Sequence, residues 1–121
     1  MFLENSLNAK KQVGWIEVIG GSMFSGKTEE LIRRLRRSQF AKQKIEIFKP
    51  TLDSRYDTEM ITSHDQNQIH STSVPAAANI RILADGCDVV GIDEAQFFDD
   101  EIIQVCNDLA NSGIRVIVAG L

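Results

Sequence analysis

The segment GGSMFSGKT at residues 20–28 has residue types and a spacing that suit one kind of chemistry, the binding of phosphate groups. From Gly21 to Thr28 it matches the pattern G-x-x-x-x-G-K-[ST]. Glycines let successive backbone N–H groups converge on one anion at the start of a helix. Lys27 is expected to reach the β- and γ-phosphates of a nucleoside triphosphate, and the Thr28 hydroxyl suits a ligand position on Mg²⁺. The predicted loop residues are Gly21, Ser22, Met23, Phe24, Ser25, Gly26, Lys27 and Thr28.

A pair of acidic residues, Asp93 and Glu94, follows the apolar run VVGI at residues 89–92. An aspartate at the end of a buried strand suits the second half of a triphosphate site, because its carboxylate can hold Mg²⁺ opposite the loop. A glutamate beside it can orient a hydroxyl or water nucleophile and accept its proton. Together with the loop, the pair predicts phosphoryl transfer rather than phosphate binding alone.

Three other groups of residues are ambiguous. Within DSRY at residues 53–56, Arg55 can place a guanidinium on transferring phosphates, but such a segment is also typical of an exposed turn with a local ion pair. His64 and His70 have no partner at metal-ligand spacing and are interpreted as exposed loop histidines. The arginines of residues 33–37 favour a solvated face near the C-terminal end of a helix, with a nucleic-acid or subunit contact as the alternative.

Apolar runs separated by helical patterns predict the elements that must position these side chains. Strands are expected at residues 15–19, 45–48, 89–93 and 115–119. The helix after the loop should bury Leu31, Ile32 and Leu35. The polar stretch from Pro50 to Pro75 is too long for a plain connection, which indicates a functional or flexible loop that holds a short strand near residues 68–73.

Two further helices are predicted in the second half of the chain. One starts at Pro75 and ends at the Asp85-Gly86 turn. The other is capped by Asp99 or Asp100 and ends at residues 111–113. Its predicted buried face consists of Ile102, Ile103, Val105, Cys106, Leu109 and Ala110.

This alternation of strands and helices predicts right-handed parallel crossovers. The fold class is therefore α/β, with an open, mainly parallel sheet and flanking helices, of the P-loop NTPase (RecA-like) kind. Ligands of such sheets bind beyond the carboxyl ends of the strands, where Gly21, Asp93 and Leu121 should converge. We expect a flexible N-terminal tail at residues 1–13 and one P-loop nucleotide-binding domain at residues 14–121.

Composition and charge limit the possible partners. The chain has 121 residues, 13 basic and 17 acidic side chains and a formal net charge of -4, which gives little reason to expect affinity for nucleic acid or a membrane surface. Cys87 and Cys106 lie among apolar residues, so buried free thiols are favoured over a disulfide. Neither a secretory signal nor a bilayer-length apolar run is present, which predicts a soluble, cytoplasmic protein.

Read together, the motifs resemble the type II thymidine kinases. The matching segments are GSMFSGKT at residues 21–28, DSRY at 53–56, SHD at 63–65, GIDEAQFF at 91–98 and VIVAGL at 116–121. The resemblance covers residues 15–121. It implies transfer of the γ-phosphoryl group of ATP to the 5′-hydroxyl of thymidine, a reaction of nucleotide salvage that supplies DNA precursors.

The resemblance also implies roles for individual residues. Glu94 matches the family's proton acceptor, and Lys27 and Arg55 match residues beside the transferring phosphates. The implied magnesium site consists of Thr28, Asp93 and Asp53. The implied ATP site consists of the loop residues with Asp93, Glu94, Ala95 and Gln96. The positions that match the surroundings of the thymine base, for which core packing is the alternative, are Met23, Phe97 and Leu121.

One departure from the family concerns zinc. The family's chain continues into a small zinc-binding lobe with paired cysteines and a loop that closes over thymidine. This sequence has no C-x-x-C pair, so cysteine ligands for a structural Zn²⁺ are absent from it. We therefore expect the chain to be a fragment of a longer protein, truncated at its C-terminus. The resemblance suggests a homotetramer.

Two alternatives to the kinase function remain open from the residues alone. In a P-loop ATPase or nucleotide switch, Glu94 would activate water instead of a nucleoside hydroxyl. In a catalytically incomplete fragment, the loop would bind ATP and no transfer would follow. A GTPase is disfavoured, because the sequence has no Asn-Lys-x-Asp motif to recognise guanine.

Overall fold

A computed structural model of the chain describes residues 14–21, 26–51, 58–62 and 68–120. The predicted tail at residues 1–13 lies outside this part of the chain. The strands among the described residues are β1 (Ile16–Ile19), β2 (Ile45–Pro50), β3 (Thr58–Thr62), β4 (Gln68–Val74), β5 (Val89–Ile92) and β6 (Arg115–Ala119). The helices are α1 (Lys27–Phe40), α2 (Ala77–Leu83) and α3 (Glu101–Asn111), and residues 95–97 form a short 3₁₀ turn.

The six described strands form one sheet in the order β1-β6-β5-β2-β4-β3. The first five in this order are parallel, and β3 is antiparallel to β4 at the edge. The predicted open, mainly parallel α/β sheet is therefore confirmed. The short strand expected near residues 68–73 is present as β4, whereas β3 was not predicted. Since His70 lies in β4, its interpretation as a loop residue is wrong; His64 lies outside the described residues.

Strand β5 lies at the centre of the hydrophobic core, and helices cover both of its faces. All four of its residues are buried, as a strand between two helical layers requires. Val89 packs in the cluster with Leu31 and Leu35 of α1, while the next residue, Val90, packs in the cluster beneath α2 and α3. A Cβ at Gly91 would lie 2.7 Å from Leu35 Cδ1, so a glycine at this position allows α1 to approach the sheet closely.

Strand β2 runs two residues further than predicted, through Lys49 and Pro50. Proline was expected to stop the strand because it has no N–H to donate. The pairing of β2 with β5 ends at Phe48, opposite Ile92, whereas its pairing with β4 continues to Pro50. On the β5 side there is consequently no ladder hydrogen bond for Pro50 to lose.

Helices α2 and α3 form at the predicted places, but one predicted core residue of α3 is exposed. Val105, Cys106, Leu109 and Ala110 are buried, as expected. Ile103 is 68% exposed, so its assignment to the buried face is wrong. Helical geometry places Ile103 about 100° around the axis from Ile102. It therefore lies on the side of α3 that faces away from Glu101 and Asp108, the two residues that pair with Arg81.

A network of ion pairs joins β1, β6 and α1 and includes Arg33 and Arg34. Glu17 on β1 accepts hydrogen bonds from Arg115 Nε at 2.6 Å, Trp15 Nε1 at 2.7 Å and Arg34 Nη1 at 3.0 Å. Arg34 also donates to Glu30 on its own helix. Arg34 is therefore a structural link between α1 and the sheet rather than a purely solvated side chain.

Replacing Glu17 with Gln is expected to lower the free energy of unfolding at pH 7 by about 1–2 kcal/mol, with allowance for partial solvent screening. The hydrogen bond from Arg115 is the main reason that the pKa of Glu17 falls from 4.5 to about 2, with the bonds from Trp15 and Arg34 acting in the same direction and partial burial opposing them. A pKa that is lower in the folded chain stabilises the fold above pH 4.5, and this contribution is lost as the pH falls toward 2.

Urea unfolding of both forms across the acid range tests this expectation. The difference in unfolding free energy between wild type and Glu17→Gln should be constant above pH 5 and should shrink progressively below pH 4.5. Asp85→Asn, which removes an exposed carboxylate on the turn after α2, is a matched control. A difference that is independent of pH from 7 to 3 would contradict the assigned ion pair.

Both cysteines behave as predicted. Cys87 and Cys106 are buried free thiols, and burial raises the pKa of Cys106 to about 11 and also raises that of Cys87.

Among the described residues, none of the helices is both long enough and apolar enough to cross a membrane.

Candidate active site

Three neighbouring parallel strands end at one edge of the sheet, and the predicted site residues follow them. Strands β1, β6 and β5 are adjacent in this order. Gly21 follows β1, Asp93 follows β5 and Gly120 follows β6. The N–H of Gly120 donates to the carbonyl oxygen of Ile19 at 3.1 Å, so the ends of β6 and β1 lie against each other. Ligands of open α/β sheets bind at this kind of edge.

The described part of the phosphate loop has the backbone geometry that the motif requires. Gly26 adopts a left-handed conformation, with φ 81° and ψ 22°, directly before the first turn of α1. This conformation favours glycine, because a Cβ would be strained there. The ammonium group of Lys27 donates to the carbonyl oxygen of Gly21 at 3.1 Å, which places it across the loop. The dipole of α1 gives this end of the helix a positive potential, which favours the binding of an anion.

Thr28 and Asp93 are in contact although they are 65 positions apart in the sequence. The Thr28 hydroxyl lies 3.1 and 3.3 Å from the two carboxylate oxygens of Asp93, to which it donates. Asp93 is only 8% exposed and also accepts a hydrogen bond from the N–H of Glu94 at 3.0 Å. Burial raises the pKa of Asp93, and the two hydrogen bonds partly oppose that rise. The fold therefore holds a carboxylate in a place where its charge is poorly solvated.

This pair of oxygen ligands fits Mg²⁺. Magnesium prefers hard oxygen ligands and is usually held by one or two carboxylates together with phosphate oxygens and water. A cation bound at Asp93 would also offset the cost of burying its charge. Among the described residues, no group of three or more His, Cys, Asp or Glu side chains is arranged to hold a metal ion.

Glu94 has an unusual backbone conformation that sequence patterns did not reveal. It lies in the left-handed region, with φ 54° and ψ 43°, directly before the 3₁₀ turn. Such a conformation is unfavourable for a residue with a long side chain, and strained residues cluster at functional sites. Its side chain is exposed, and Oε1 accepts a hydrogen bond from Gln96 Nε2 at 3.1 Å. The carboxylate is therefore accessible beside the buried Asp93.

The 3₁₀ turn carries the other predicted residues of this segment. Ala95 packs partly against the core, whereas Gln96 is exposed and Phe97 is 55% exposed. The turn is closed by hydrogen bonds from the N–H of Phe97 to Glu94 O and from the N–H of Phe98 to Ala95 O, both at 3.1 Å. An exposed aromatic ring next to the carboxylate is available to contact a ligand, and its exposure disfavours the alternative of core packing for Phe97.

The structure thus brings together part of the predicted site. Residues at the convergent strand ends and the start of α1 are Gly21, Gly26, Lys27, Thr28, Asp93, Glu94, Ala95, Gln96 and Phe97. Other predicted site residues lie outside the described part of the chain, namely Ser22, Met23, Phe24, Ser25, Asp53, Arg55 and Leu121. Sequence patterns did not indicate Gly120, whose contacts with both β1 and the 3₁₀ turn depend on the sheet order.

The parallel sheet, the left-handed Gly26 before α1 and the contact of Thr28 with Asp93 define the class of fold, an α/β fold of the P-loop kind. The family model for thymidine kinase matches residues 14–121. The chain therefore belongs to the thymidine kinase family, and the resemblance of its motifs to that family is confirmed.

Curated relatives agree with this assignment. A thymidine kinase of Rhodothermus sp. (strain ITI 518) is 65% identical over 109 residues, which are 90% of this chain and 51% of the relative. A thymidine kinase of Bacteroides thetaiotaomicron is 57% identical over 121 residues, all of this chain and 61% of the relative. One of Bdellovibrio bacteriovorus is 55% identical over 109 residues, 89% of this chain and 53% of the relative. The chain thus spans about half to three fifths of the length of these relatives.

Proposed function

We propose that the protein containing this chain is a thymidine kinase, which transfers the γ-phosphoryl group of ATP to the 5′-hydroxyl of thymidine. The observation that carries this proposal is the contact between Thr28 and the buried Asp93, with the exposed carboxylate of Glu94 beside it. This arrangement supports a role of the start of α1 in phosphate binding, of Thr28 and Asp93 in metal binding, and of Glu94 as the base. The names of the curated relatives support thymidine as the acceptor.

In the proposed reaction, each group of the site has one task. The backbone N–H groups at the start of α1 bind the phosphates, and Lys27 turns from Gly21 O to the β- and γ-phosphate oxygens. Thr28 and Asp93 would hold Mg²⁺, which when bound neutralises charge on those oxygens. The Glu94 carboxylate accepts the proton of the 5′-hydroxyl. At the same time the 5′-oxygen bonds to the γ-phosphorus, and the bond between the γ-phosphorus and the bridging oxygen, which leaves with ADP, breaks.

Other parts of the proposal rest on the motif resemblance. Asp53 and Arg55 are proposed to act near the metal and the transferring phosphate, and the residues 22–25 to complete the phosphate loop. Met23, Phe97 and Leu121 are proposed to surround the thymine base. We further propose a cytoplasmic homotetramer with residues 14–121 as its P-loop domain, in which a structural Zn²⁺ is held by residues other than those of this chain.

A phosphorylation assay tests the function directly. This chain and a chain completed with the C-terminal half of the Rhodothermus relative are incubated with γ-labelled ATP and Mg²⁺, with and without thymidine. Labelled thymidine monophosphate from either form would support the proposal. Phosphate release that thymidine does not stimulate would favour an ATPase instead. ATP binding without transfer in both forms would contradict the proposed kinase activity.

A further inference from the structure

Gly120 lies between the strand that precedes the phosphate loop and the turn that carries Glu94. Its N–H binds Ile19 O at the end of β1. A Cβ added to Gly120 would lie 3.0 Å from Gln96 Oε1, 3.3 Å from Ala95 Cβ and 3.4 Å from the backbone nitrogen of Gln96. Gly120 is not among the glycines with positive φ. A side chain at position 120 would therefore be crowded by atoms of the 3₁₀ turn, chiefly Gln96 Oε1, and not by an unfavourable backbone conformation.

The Gln96 side chain connects this contact to the carboxylate of Glu94. Its Nε2 donates to Glu94 Oε1 at 3.1 Å, while its Oε1 is the atom nearest to a Cβ built on Gly120. The two ends of one planar amide thus face the carboxylate and the glycine. A methyl group at position 120 would be accommodated most easily by rotation of this flexible amide. That rotation would carry Nε2 away from Glu94.

An exposed glutamate needs such a restraint if it is to act as a base. The Glu94 side chain has several rotatable bonds and lies on the surface, so its carboxylate samples many positions when nothing holds it. Proton transfer requires a carboxylate oxygen within hydrogen-bond reach of the acceptor hydroxyl. The backbone of Glu94 is already fixed in the left-handed region, and the Gln96 amide fixes the other end of the side chain.

We infer that Gln96 and Gly120 are positioning residues for Glu94. Because Gly120 has no side chain, the Gln96 amide can lie against it, and in this position the amide holds the Glu94 carboxylate toward the acceptor hydroxyl. This inference rests on the proposed kinase function for its effect on rate. It assigns Gln96 a task through its side chain, in addition to any contact that its backbone makes with ATP. It also gives the glycine after β6 a role in a reaction whose atoms it does not touch.

A double-mutant cycle tests the inference. Gln96→Ala and Gly120→Ala are each expected to lower kcat about threefold to tenfold, the range for losing one hydrogen bond, and to leave KM for ATP within about twofold. In the double variant, kcat should be no lower than in Gln96→Ala alone, because the added methyl group then has no amide to displace. Effects on kcat that multiply would overturn the inference, as would changes confined to KM.

Two additional readouts separate this inference from the proposed function. Gln104→Ala is a matched control, because Gln104 Nε2 likewise donates to a carboxylate, Asp108, at 2.8 Å on α3; its kcat should equal that of wild type. The side-chain amide resonances of Gln96 should shift in Gly120→Ala and in Glu94→Ala, while those of Gln104 stay in place. Unchanged Gln96 resonances would overturn the inference even in an active enzyme, whereas shifted resonances without thymidine phosphorylation would contradict only the kinase function.

Discussion

Replacing Glu94 with Gln should lower kcat for thymidine phosphorylation by about two to four orders of magnitude and leave ATP binding intact. The amide has nearly the shape of the carboxylate, and its oxygen can still accept the hydrogen bond that Gln96 donates at 3.1 Å. It cannot accept a proton from the 5′-hydroxyl at neutral pH. The change therefore removes the base while it preserves the geometry of the turn.

The measurement combines steady-state kinetics with calorimetric titration of ATP, both in the active form of the enzyme. Glu101→Gln is the control, because Glu101 is an acidic residue on the first turn of α3, 53% exposed, whose substitution should leave kcat at the wild-type value. If kcat of Glu94→Gln stayed within threefold of wild type, another group would have to be the base. If instead ATP affinity fell in proportion to kcat, the carboxylate would belong to the nucleotide site.

The elements that could be predicted are those whose own residues show a clear strand or helix pattern. Strand β6 was predicted with its exact limits, because the apolar run RVIVA is followed directly by Gly120 and the turn residues 111–113 come shortly before it. The buried face of α1 followed from helical spacing. Strand β3 was missed because three of the five residues of TEMIT are polar and the neighbouring sequence is polar too, and its strand structure depends on pairing with β4. Pairing partners are not visible in the local pattern of such a strand.

The same distinction applies to the candidate site. The meeting of Thr28 with Asp93 could be expected, because both follow from motifs at the carboxyl ends of parallel strands. The left-handed conformation of Glu94 could not, since no residue type in this segment requires it. The close contact of Gly120 with Gln96 occurs because β6 lies beside β5, and the order of the strands is a property of the whole sheet. Contacts that depend on the order of the strands, such as that of Gly120 with Gln96, thus escaped prediction, whereas the contact between the two motif residues Thr28 and Asp93 did not.

Asp93→Asn should separate the stability of the fold from its activity. We expect kcat to fall by about two to three orders of magnitude, because a neutral amide is a poor ligand for the Mg²⁺ that stabilises the transferring phosphate. The amide oxygen can still accept the hydrogen bonds from the Thr28 hydroxyl and the Glu94 N–H. Burial raises the pKa of Asp93, so ionising this carboxyl costs more free energy in the metal-free fold than in water. Removing the charge should leave the metal-free protein at least as stable as wild type.

Thermal unfolding with and without Mg²⁺ and ATP, alongside kinetics, distinguishes this expectation from simple damage to the fold. Wild type should be stabilised by Mg²⁺ with ATP more than by ATP alone, and Asp93→Asn should lose that difference. Asp88→Asn makes the same chemical change at the opposite end of β5, where the carboxylate accepts a hydrogen bond from the N–H of Lys44, and should keep both activity and the Mg²⁺ effect. A metal-free Asp93→Asn protein with a clearly lower melting temperature would show that this carboxylate stabilises the fold. In that case the hydrogen bonds of the Asp93 carboxylate, and not a bound metal, would account for its burial. The magnesium ligands would then have to be other residues.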